Sequence, residues 1–435
     1  MSKNSEQFCN MLLESYKKLN LDNIEIFEKN SESLSVKTRN IKLENIERSN
    51  NYKLTLTVFK GKKTTNLSVN NIEQINPIDL LEKAKDMVVS LPEDIFSGIP
   101  EKEDYPQLVP NLNIKDPKEV NETDLLNKAL ITEEAMLQNK NITNTEGSNA
   151  SRTLLKSKIY SSVGFVSSYT KTINSTSAIA IAGKDTNMQR DYEYGTSIFY
   201  DNLPDPKCIG NKAAERALSR INSKKIKSCK VDIIFEPRIA KSILSSFSSC
   251  ATGVAIARGT SFLIGKKEKK IFKDGINIIN QPHLKGGIGS TPYDYNGVKN
   301  EDLFIVSDGS LDNYFLNIRS ARQLNLKPNG NSSPYNLTLQ NGKPSPNELI
   351  SNIKKGFFVT EMLGMSFNPV NGDYSRGAAG FLIENGEITY PVSEVTIAGN
   401  MIDMMKNLTP ANDLKIEENI NTPTFLIENM TLAGQ

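Results

Sequence analysis

The sequence of 435 residues contains a single histidine, His283, and no tryptophan. His283 stands in a loop that Pro282, Gly286 and Gly287 mark. Catalysis by Ser-His-Asp or Cys-His groups needs a histidine that a partner side chain holds, and most catalytic zinc sites need two or three. The sequence therefore disfavours both kinds of site, and we interpret His283 as an exposed or loop-packing residue.

Cysteines and long apolar runs are also scarce. The four cysteines, Cys9, Cys208, Cys229 and Cys250, are far apart and form no C-x-x-C pair. This spacing argues against a disulfide framework and against a structural zinc site. The N-terminus has no apolar segment typical of signal peptides, and no apolar run is long enough to span a bilayer. We therefore expect a cytoplasmic protein with no membrane contact.

Neither sign of charge is in excess. The 52 basic and 50 acidic residues give a net charge of +2 and are interspersed along the chain. Affinity for nucleic acid needs a concentrated basic face, so we expect no direct nucleic-acid contact. The basic run Lys266–Lys270 is interpreted as a solvated turn.

The order of the elements predicts an α+β fold with two domains, each with a mainly antiparallel sheet packed with helices. The chain is too long for one compact core. In its first half, the β-prone stretches Tyr52–Phe59 and Thr64–Val69 are joined by a short turn, as antiparallel strands are. A helix from Pro206 to Ile221 and the basic turn that follows it mark the boundary. The predicted domains cover residues 1–225 and 226–435.

The second half begins with a predicted buried strand, Val231–Phe235, and a helix from Pro237 to about Cys250. A further helix is predicted over Leu311–Leu324. Gly-rich loops lie between these elements, and Gly286–Gly289 is interpreted as a turn, because no Lys-Ser/Thr follows it as in a phosphate-binding loop. Four aspartates are interpreted as turn and helix-cap residues rather than as a metal or acid–base cluster: Asp294, Asp308, Asp312 and Asp373.

The most distinctive stretch is Asn371–Asn400. Its Asn385-Gly386 pair lies between two β-prone arms, and such a pair predicts a hairpin with a type I′ turn. Before the hairpin, Ser375–Gly380 has almost no side-chain bulk apart from Arg376. Such a strip lets another backbone approach closely, which suits both internal packing and a peptide-binding edge. The candidate residues for contact with a peptide or a partner are Asp373, Tyr374, Ser375, Arg376, Gly377 and Gly380.

Several unusual strings in the second half resemble the TldD/PmbA family, and within it the PmbA (TldE) branch. They are Gly289–Asp294, Phe304–Leu311, Arg319–Leu324, Asn371–Asn400 and Thr422–Gly434. The resemblance implies a two-domain α+β protein that pairs with a TldD-like subunit as a heterodimeric cytoplasmic metallopeptidase acting on unfolded peptides. It also implies a link to peptide maturation and to modulation of DNA gyrase.

In the TldD branch, a helix carries an H-E-x-x-x-H motif whose histidines bind zinc, and a later cysteine completes the ligands. The corresponding helix here, Arg238–Thr252, contains no histidine, and Cys250 is the last cysteine. The resemblance therefore implies a chain with no catalytic residues, no metal ligands and no cofactor. Zinc is expected only in the TldD-like partner, and a homodimer is the expected state without that partner.

Two alternatives stay open at this stage. One is a regulatory binding protein that acts on DNA gyrase or on a toxin–antitoxin pair and has no protease role. The other is a self-sufficient hydrolase that uses serine or aspartate, although no nucleophile beside a base can be identified from the sequence.

Overall fold

The computed structural model describes residues 3–364 and 366–434. In chain order, the helices are α1 (Lys3–Ser15), α2 (Pro77–Ser90), α3 (Glu122–Leu137), α4 (Pro206–Ser219), α5 (Pro237–Cys250), α6 (Gly253–Ala257), α7 (Ile318–Gln323), α8 (Pro346–Ser351) and α9 (Met401–Lys406). The first six strands are β1 (Asn23–Arg39), β2 (Lys42–Lys60), β3 (Lys63–Val69), β4 (Ile142–Ser161), β5 (Val166–Ala182) and β6 (Gln189–Ser197). The later strands are β7 (Cys229–Phe235), β8 (Ile278–Asn280), β9 (Leu303–Ser307), β10 (Ser310–Leu311), β11 (Leu337–Leu339), β12 (Lys355–Leu363), β13 (Asp373–Glu384), β14 (Glu387–Asn400), β15 (Leu408–Pro410), β16 (Ile420–Asn421) and β17 (Phe425–Ala433).

The N-terminal sheet contains six antiparallel strands in the order β3-β2-β1-β4-β5-β6. Alternate residues of β5 are buried along most of its length, as expected for a strand with one face against helices. Small side chains such as Ala178 and Ala180 let α3 and α4 pack on this face, where Ala213 of α4 is fully buried. A separate cluster around Leu12 and Leu81 packs α1 and α2 on the sheet. Strand β6 is left at the edge.

The C-terminal part contains two sheets. One has the order β14-β13-β12-β7-β17-β15, and β14 also pairs with β17, so this sheet closes on itself. Its strands are antiparallel except for β7 and β12. The other sheet has five short strands in the order β10-β9-β8-β11-β16. Helix α5 packs its apolar side, which includes Ile243 and Phe247, into the largest hydrophobic core of the chain.

The α+β class with mainly antiparallel sheets is confirmed. The Asn385-Gly386 turn joins β13 and β14 with φ angles of 51° and 83°, as a type I′ turn requires. The helix from Pro237 to Cys250 is confirmed. The helix predicted over Leu311–Leu324 is wrong in its first half: Leu311 belongs to β10, and Asn317 caps a helix that begins only at Ile318.

The domain boundary predicted at residues 225/226 lies in the connection between α4 and β7. The division into two domains stays a prediction. Among the described residues, no helix combines the length and the apolar character needed to cross a membrane.

Candidate functional site

A cleft with a volume of about 610 Å³ lies between the N-terminal sheet and α5. Its walls include the end of β6 (residues 193–197), Arg216 of α4, and Arg238 and Lys241 of α5. The loop 286–288 and the segment 413–422 close the other sides. Volumes of this size are typical of sites that hold a drug-sized ligand or a few peptide residues.

Strand β6 presents an open backbone edge to this cleft. Among the described residues, β6 pairs only with β5. The carbonyl oxygens of Arg190 and Tyr192 face away from β5, because each accepts a hydrogen bond from an arginine side chain, at 3.2 and 2.8 Å. Backbone groups of an antiparallel strand alternate in direction, so those of Tyr194 and Thr196 also face away from β5. Tyr194 and Thr196 line the cleft. The amide of Tyr194 donates to Glu193 Oε1 at 3.3 Å, so an extended chain can pair there with the carbonyl groups of both residues and with the amide of Thr196.

A buried ionic cluster holds the edge strand against α5. Asp191 of β6 accepts from Arg238 Nη1 at 2.7 Å through Oδ1 and from Arg220 Nη1 at 3.2 Å through Oδ2. The three side chains are at most 8% exposed. Burial alone would raise the pKa of Asp191, but the hydrogen bond and charge of Arg238 outweigh burial and lower it. Asp191 is therefore ionised at neutral pH and neutralises the charge beside it.

Arg216 extends this cluster into the cleft. Its Nε donates to Glu193 Oε2 at 3.0 Å, and its Nη1 donates to Glu236 Oε2 at 2.9 Å. Burial favours the neutral guanidine, but the charge of Glu236 outweighs this and raises the pKa of Arg216. The carboxylates and guanidinium groups of this wall are thus paired with one another, and they fix the position of the β6 edge relative to α5.

The far end of the cleft holds a second ionic group. Lys241 Nζ donates to the two carboxylate oxygens of Glu418 at 2.7 and 2.8 Å, and the hydroxyl of Tyr194 also donates to Glu418. Burial and the contact with Glu418 raise the pKa of Tyr194, so its phenol stays protonated at neutral pH. A phenol that stays protonated is suited to binding and not to proton transfer near pH 7.

The charges that line the cleft are balanced. The basic residues are Lys212, Arg216, Arg238, Lys241 and Lys415, and the acidic residues are Glu193, Glu236, Asp413, Glu417 and Glu418. A cleft of balanced charge with an open strand edge offers a ligand backbone hydrogen-bonding groups and no net charge.

The residues that the structure describes in the cleft do not form a site for a peptidase metal. The side of α5 that lines it carries Arg238 and Lys241, which are not metal ligands and which pair with the carboxylates of Glu236 and Glu418. Among residues 3–364 and 366–434, no group of three or more His, Cys, Asp or Glu side chains could hold a metal ion. The described residues therefore do not fit a zinc centre.

The six candidate residues on β13 lie outside this cleft. Asp373 is exposed and is held by the side-chain amides of Asn371, at 2.7 Å, and Asn400, at 3.1 Å. Tyr374 is buried, and burial raises the pKa of its phenol to about 12. Ser375 is exposed, while Arg376 Nη1 donates to Ser242 Oγ of α5 at 3.3 Å. A role of these residues in partner contact stays a prediction.

The interpretation of Ser375–Gly380 as a strand edge for peptide addition is wrong. Strand β13 is an interior strand, because Gly377 and Gly380 are paired with β12 on one side and with β14 on the other. The amide of Ser375 donates to the carbonyl of Ser366 at 2.9 Å, so this end of the strip is also engaged. The small side chains of this strip allow strand β12 of the same chain to lie close to β13. A Cβ on Gly380 would lie 2.0 Å from the carbonyl oxygen of Phe358 in β12.

The other singled-out residues also have local partners. His283 Nε2 lies 2.7 Å from Asn300 Oδ1, and Gly286 has the φ of 70° that suits a turn. Asp308 accepts from the amide of Gly275 at 2.6 Å, as expected for a turn residue. The open edge of β6 was not found from the sequence, because its position depends on the order of strands far apart in the chain.

The geometry can be compared with known proteins. Family models match the chain in three segments: PmbA/TldA metallopeptidase domain 1 at residues 24–88, the central domain at residues 115–221 and the C-terminal domain at residues 228–434. The chain is 33% identical to Metalloprotease PmbA of Escherichia coli O157:H7, over 95% of this chain and 93% of that protein. It is 32% identical to the Metalloprotease PmbA homolog of Buchnera aphidicola subsp. Acyrthosiphon pisum, over 94% and 93% of the two chains.

Solved structures show the same fold. A candidate modulator of DNA gyrase from Bacteroides thetaiotaomicron superposes with a TM-score of 0.93 at 25% identity and covers 100% of both chains. TldE from Thermococcus kodakarensis superposes with a TM-score of 0.83 at 20% identity, over 98% of this chain and 100% of that chain.

Proposed function

The chain belongs to the PmbA/TldD metallopeptidase family, and we propose that it serves as a subunit that holds peptides but carries neither metal nor catalytic groups. The observation that carries this proposal is the cleft in which the open edge of β6 faces α5. The family's metal motif would belong on this helix, and the helix presents Arg238 and Lys241 to the cleft instead.

In this proposal, an unfolded peptide adds to β6 as an antiparallel or parallel strand. The carbonyl groups of Tyr194 and Thr196 and the amide of Thr196 supply the hydrogen bonds. Backbone pairing accepts many sequences, and the balanced charges of the cleft exclude neither acidic nor basic peptides. A TldD-like partner with zinc supplies the hydrolytic step, and the pair works in the cytoplasm, where the four thiols remain free.

Cleavage assays on purified components test whether the partner, and not this chain, carries the metal and the catalytic groups. An unstructured peptide is incubated with this chain alone, with a TldD-like partner alone and with a mixture of both, and the metal content of each sample is measured. We expect zinc in the partner and efficient cleavage by the mixture, with neither metal nor cleavage for this chain alone. Chelator-sensitive cleavage by this chain alone would overturn the proposal.

Binding experiments with the same purified proteins distinguish the peptidase subunit from a regulatory protein that acts on DNA gyrase. If the purified chain captures DNA gyrase from solution and does not form a complex with the TldD-like partner, a role without peptide cleavage is favoured. Size-exclusion chromatography with light scattering on the chain alone and on the mixture measures whether the state changes from homodimer to heterodimer.

A further inference from the structure

A second cavity, of about 340 Å³, lies beside the cleft and is separated from it by the loop around Ile288, which lines both. We call it the tyrosine cavity, because its lining includes Tyr169, Tyr293, Tyr295 and Tyr335. Tyr169 and Tyr293 meet edge to face, with 5.7 Å between the ring centroids. Such a wall suits a flat or apolar ligand body.

Lys171 is the basic residue that lines this cavity, and no carboxylate among the described residues pairs with its ammonium group. Its described hydrogen bond goes from Nζ to the neutral carbonyl oxygen of Ser290, at 3.2 Å. No carboxylate of the described residues forms a salt bridge with it, whereas Lys156 and Lys158 on the adjacent strand β4 pair with Glu32 and Glu6. Lys171 therefore has donors to offer an incoming anion.

The surroundings of Lys171 disfavour the charged form of its side chain. Burial, followed by the charge of Lys29, lowers the pKa of Lys171 to about 8. The cavity also holds Asp294, whose Oδ1 accepts from the amides of Asn296 and Val298 at 2.9 and 3.0 Å. Burial raises the pKa of Asp294 to about 7, so this carboxyl is partly neutral at neutral pH. An anion beside Lys171 would supply the missing counter-charge.

We propose that the tyrosine cavity binds a small organic carboxylate, with the carboxylate on Lys171 Nζ and the ligand body against the tyrosine rings. The cavity volume corresponds to one residue-sized ligand. The carboxylate can belong to a free aromatic acid or to the C-terminus of a peptide. This site does not depend on the partner subunit or on peptide cleavage.

Calorimetric titration of the purified full-length chain tests the site. The probes are 4-hydroxyphenylacetate, its uncharged amide and the amine tyramine, which share the ring and differ in charge. We expect the acid to bind at least about tenfold more tightly than the amide, because a charge-assisted hydrogen bond is lost in the amide. The peptide Gly-Gly-Tyr with a free C-terminus, compared with its C-terminal amide, distinguishes a peptide source from a free acid.

Two variants assign the effect to Lys171. Lys171→Met keeps the length of the side chain and is expected to weaken binding of the acid about tenfold or more, whereas Lys171→Arg retains binding. Lys156→Met is the matched control, because Lys156 lies on the adjacent strand, outside the cavity lining, and pairs with Glu32. The control is expected to bind as the unchanged protein does.

Reductive methylation gives a readout that needs no variant. Formaldehyde and borohydride modify exposed amines, and mass spectrometry reports the extent at Lys171. We expect 4-hydroxyphenylacetate to protect Lys171 and the amide to leave it reactive. Equal binding of acid and amide, tightest binding of tyramine, or no binding of the acid at millimolar concentration would each overturn the proposal.

Discussion

Arg238 and Asp191 form a buried ion pair that joins α5 to the edge strand of the N-terminal sheet, with 2.7 Å between Nη1 and Oδ1. The side chains are 7% and 3% exposed. The same carboxylate also meets Arg220. Asp191 thus bridges two buried guanidinium groups at the wall of the cleft. Each arginine has a second carboxylate partner, because Arg238 also pairs with Glu236 and Arg220 with Glu361.

Replacing Asp191 should therefore destabilise the protein strongly. Asp191→Asn removes the carboxylate that Arg238 and Arg220 share and leaves them paired only with Glu236 and Glu361, so we expect the free energy of unfolding to fall by about 1.5–3 kcal/mol. Urea unfolding followed by circular dichroism measures the change. Glu122→Gln is the control, because Glu122 pairs with Arg48 at the exposed surface and should contribute less than about 1 kcal/mol. Equal effects of both substitutions would contradict the structural role of Asp191.

The sequence predicted those features that short-range patterns determine. The Asn385-Gly386 turn follows from two residues that tolerate positive φ, and α5 follows from a proline at its start and an apolar face. The cleft does not follow from such patterns. Asp191 is one acidic residue in a polar strand, and it gains its role only because the chain brings Arg238, 47 residues away, beside it.

The strip Ser375–Gly380 shows the same limit. Its small side chains correctly indicated a close approach of backbones, but the sequence could not say which backbone approaches. Strand β12 occupies that position, because it pairs with β13 on the side opposite β14. A run of small side chains is compatible with an interior strand and with an edge strand, so the sequence of the strip alone does not distinguish the two.

Substitutions at two glycines of this strip should differ in effect. A Cβ at Gly380 would lie 2.0 Å from the carbonyl oxygen of Phe358, so Gly380→Ala forces β12 and β13 apart. We expect a loss of roughly 1–3 kcal/mol in the free energy of unfolding. Gly377→Ala is the matched control, since its Cβ would lie 3.3 Å from the Leu363 side chain and 3.5 Å from the Leu363 carbonyl oxygen, distances that need little or no movement. Thermal unfolding of both variants measures the difference, and a Gly380→Ala protein as stable as the control would contradict the assigned packing.

Glu25 should make stability depend on pH. Burial raises the pKa of Glu25 from 4.5 to about 8, and the contact with Tyr105 only partly offsets this. A carboxyl with a raised pKa keeps its proton in the folded state, so the free energy of unfolding falls as pH rises between these two values. The slope approaches roughly 1.4 kcal/mol per pH unit for one such group.

Glu25→Gln removes this titration while keeping an acceptor for the Tyr105 hydroxyl. We expect the variant to lose much less stability than the unchanged protein between about pH 5 and about pH 8. Urea unfolding at both pH values measures the difference. Glu14→Gln, at an exposed position of α1, is the control and should leave the pH dependence as it is. A Glu25→Gln protein with an unchanged slope would show that another group titrates.

If the edge of β6 holds a peptide through backbone hydrogen bonds, the affinity for the peptide should depend on which of its amides are free to donate. In an extended peptide, the amides of alternate residues point to the same side, so only every second amide can pair with the edge near Tyr194 and Thr196. Methylation of two amides on that side removes two hydrogen bonds and should weaken binding about tenfold or more. Methylation of the two intervening amides should change binding little. Fluorescence anisotropy of labelled peptides with the purified chain measures both, and equal affinities for the two methylated peptides would mean that β6 does not hold the peptide by strand pairing.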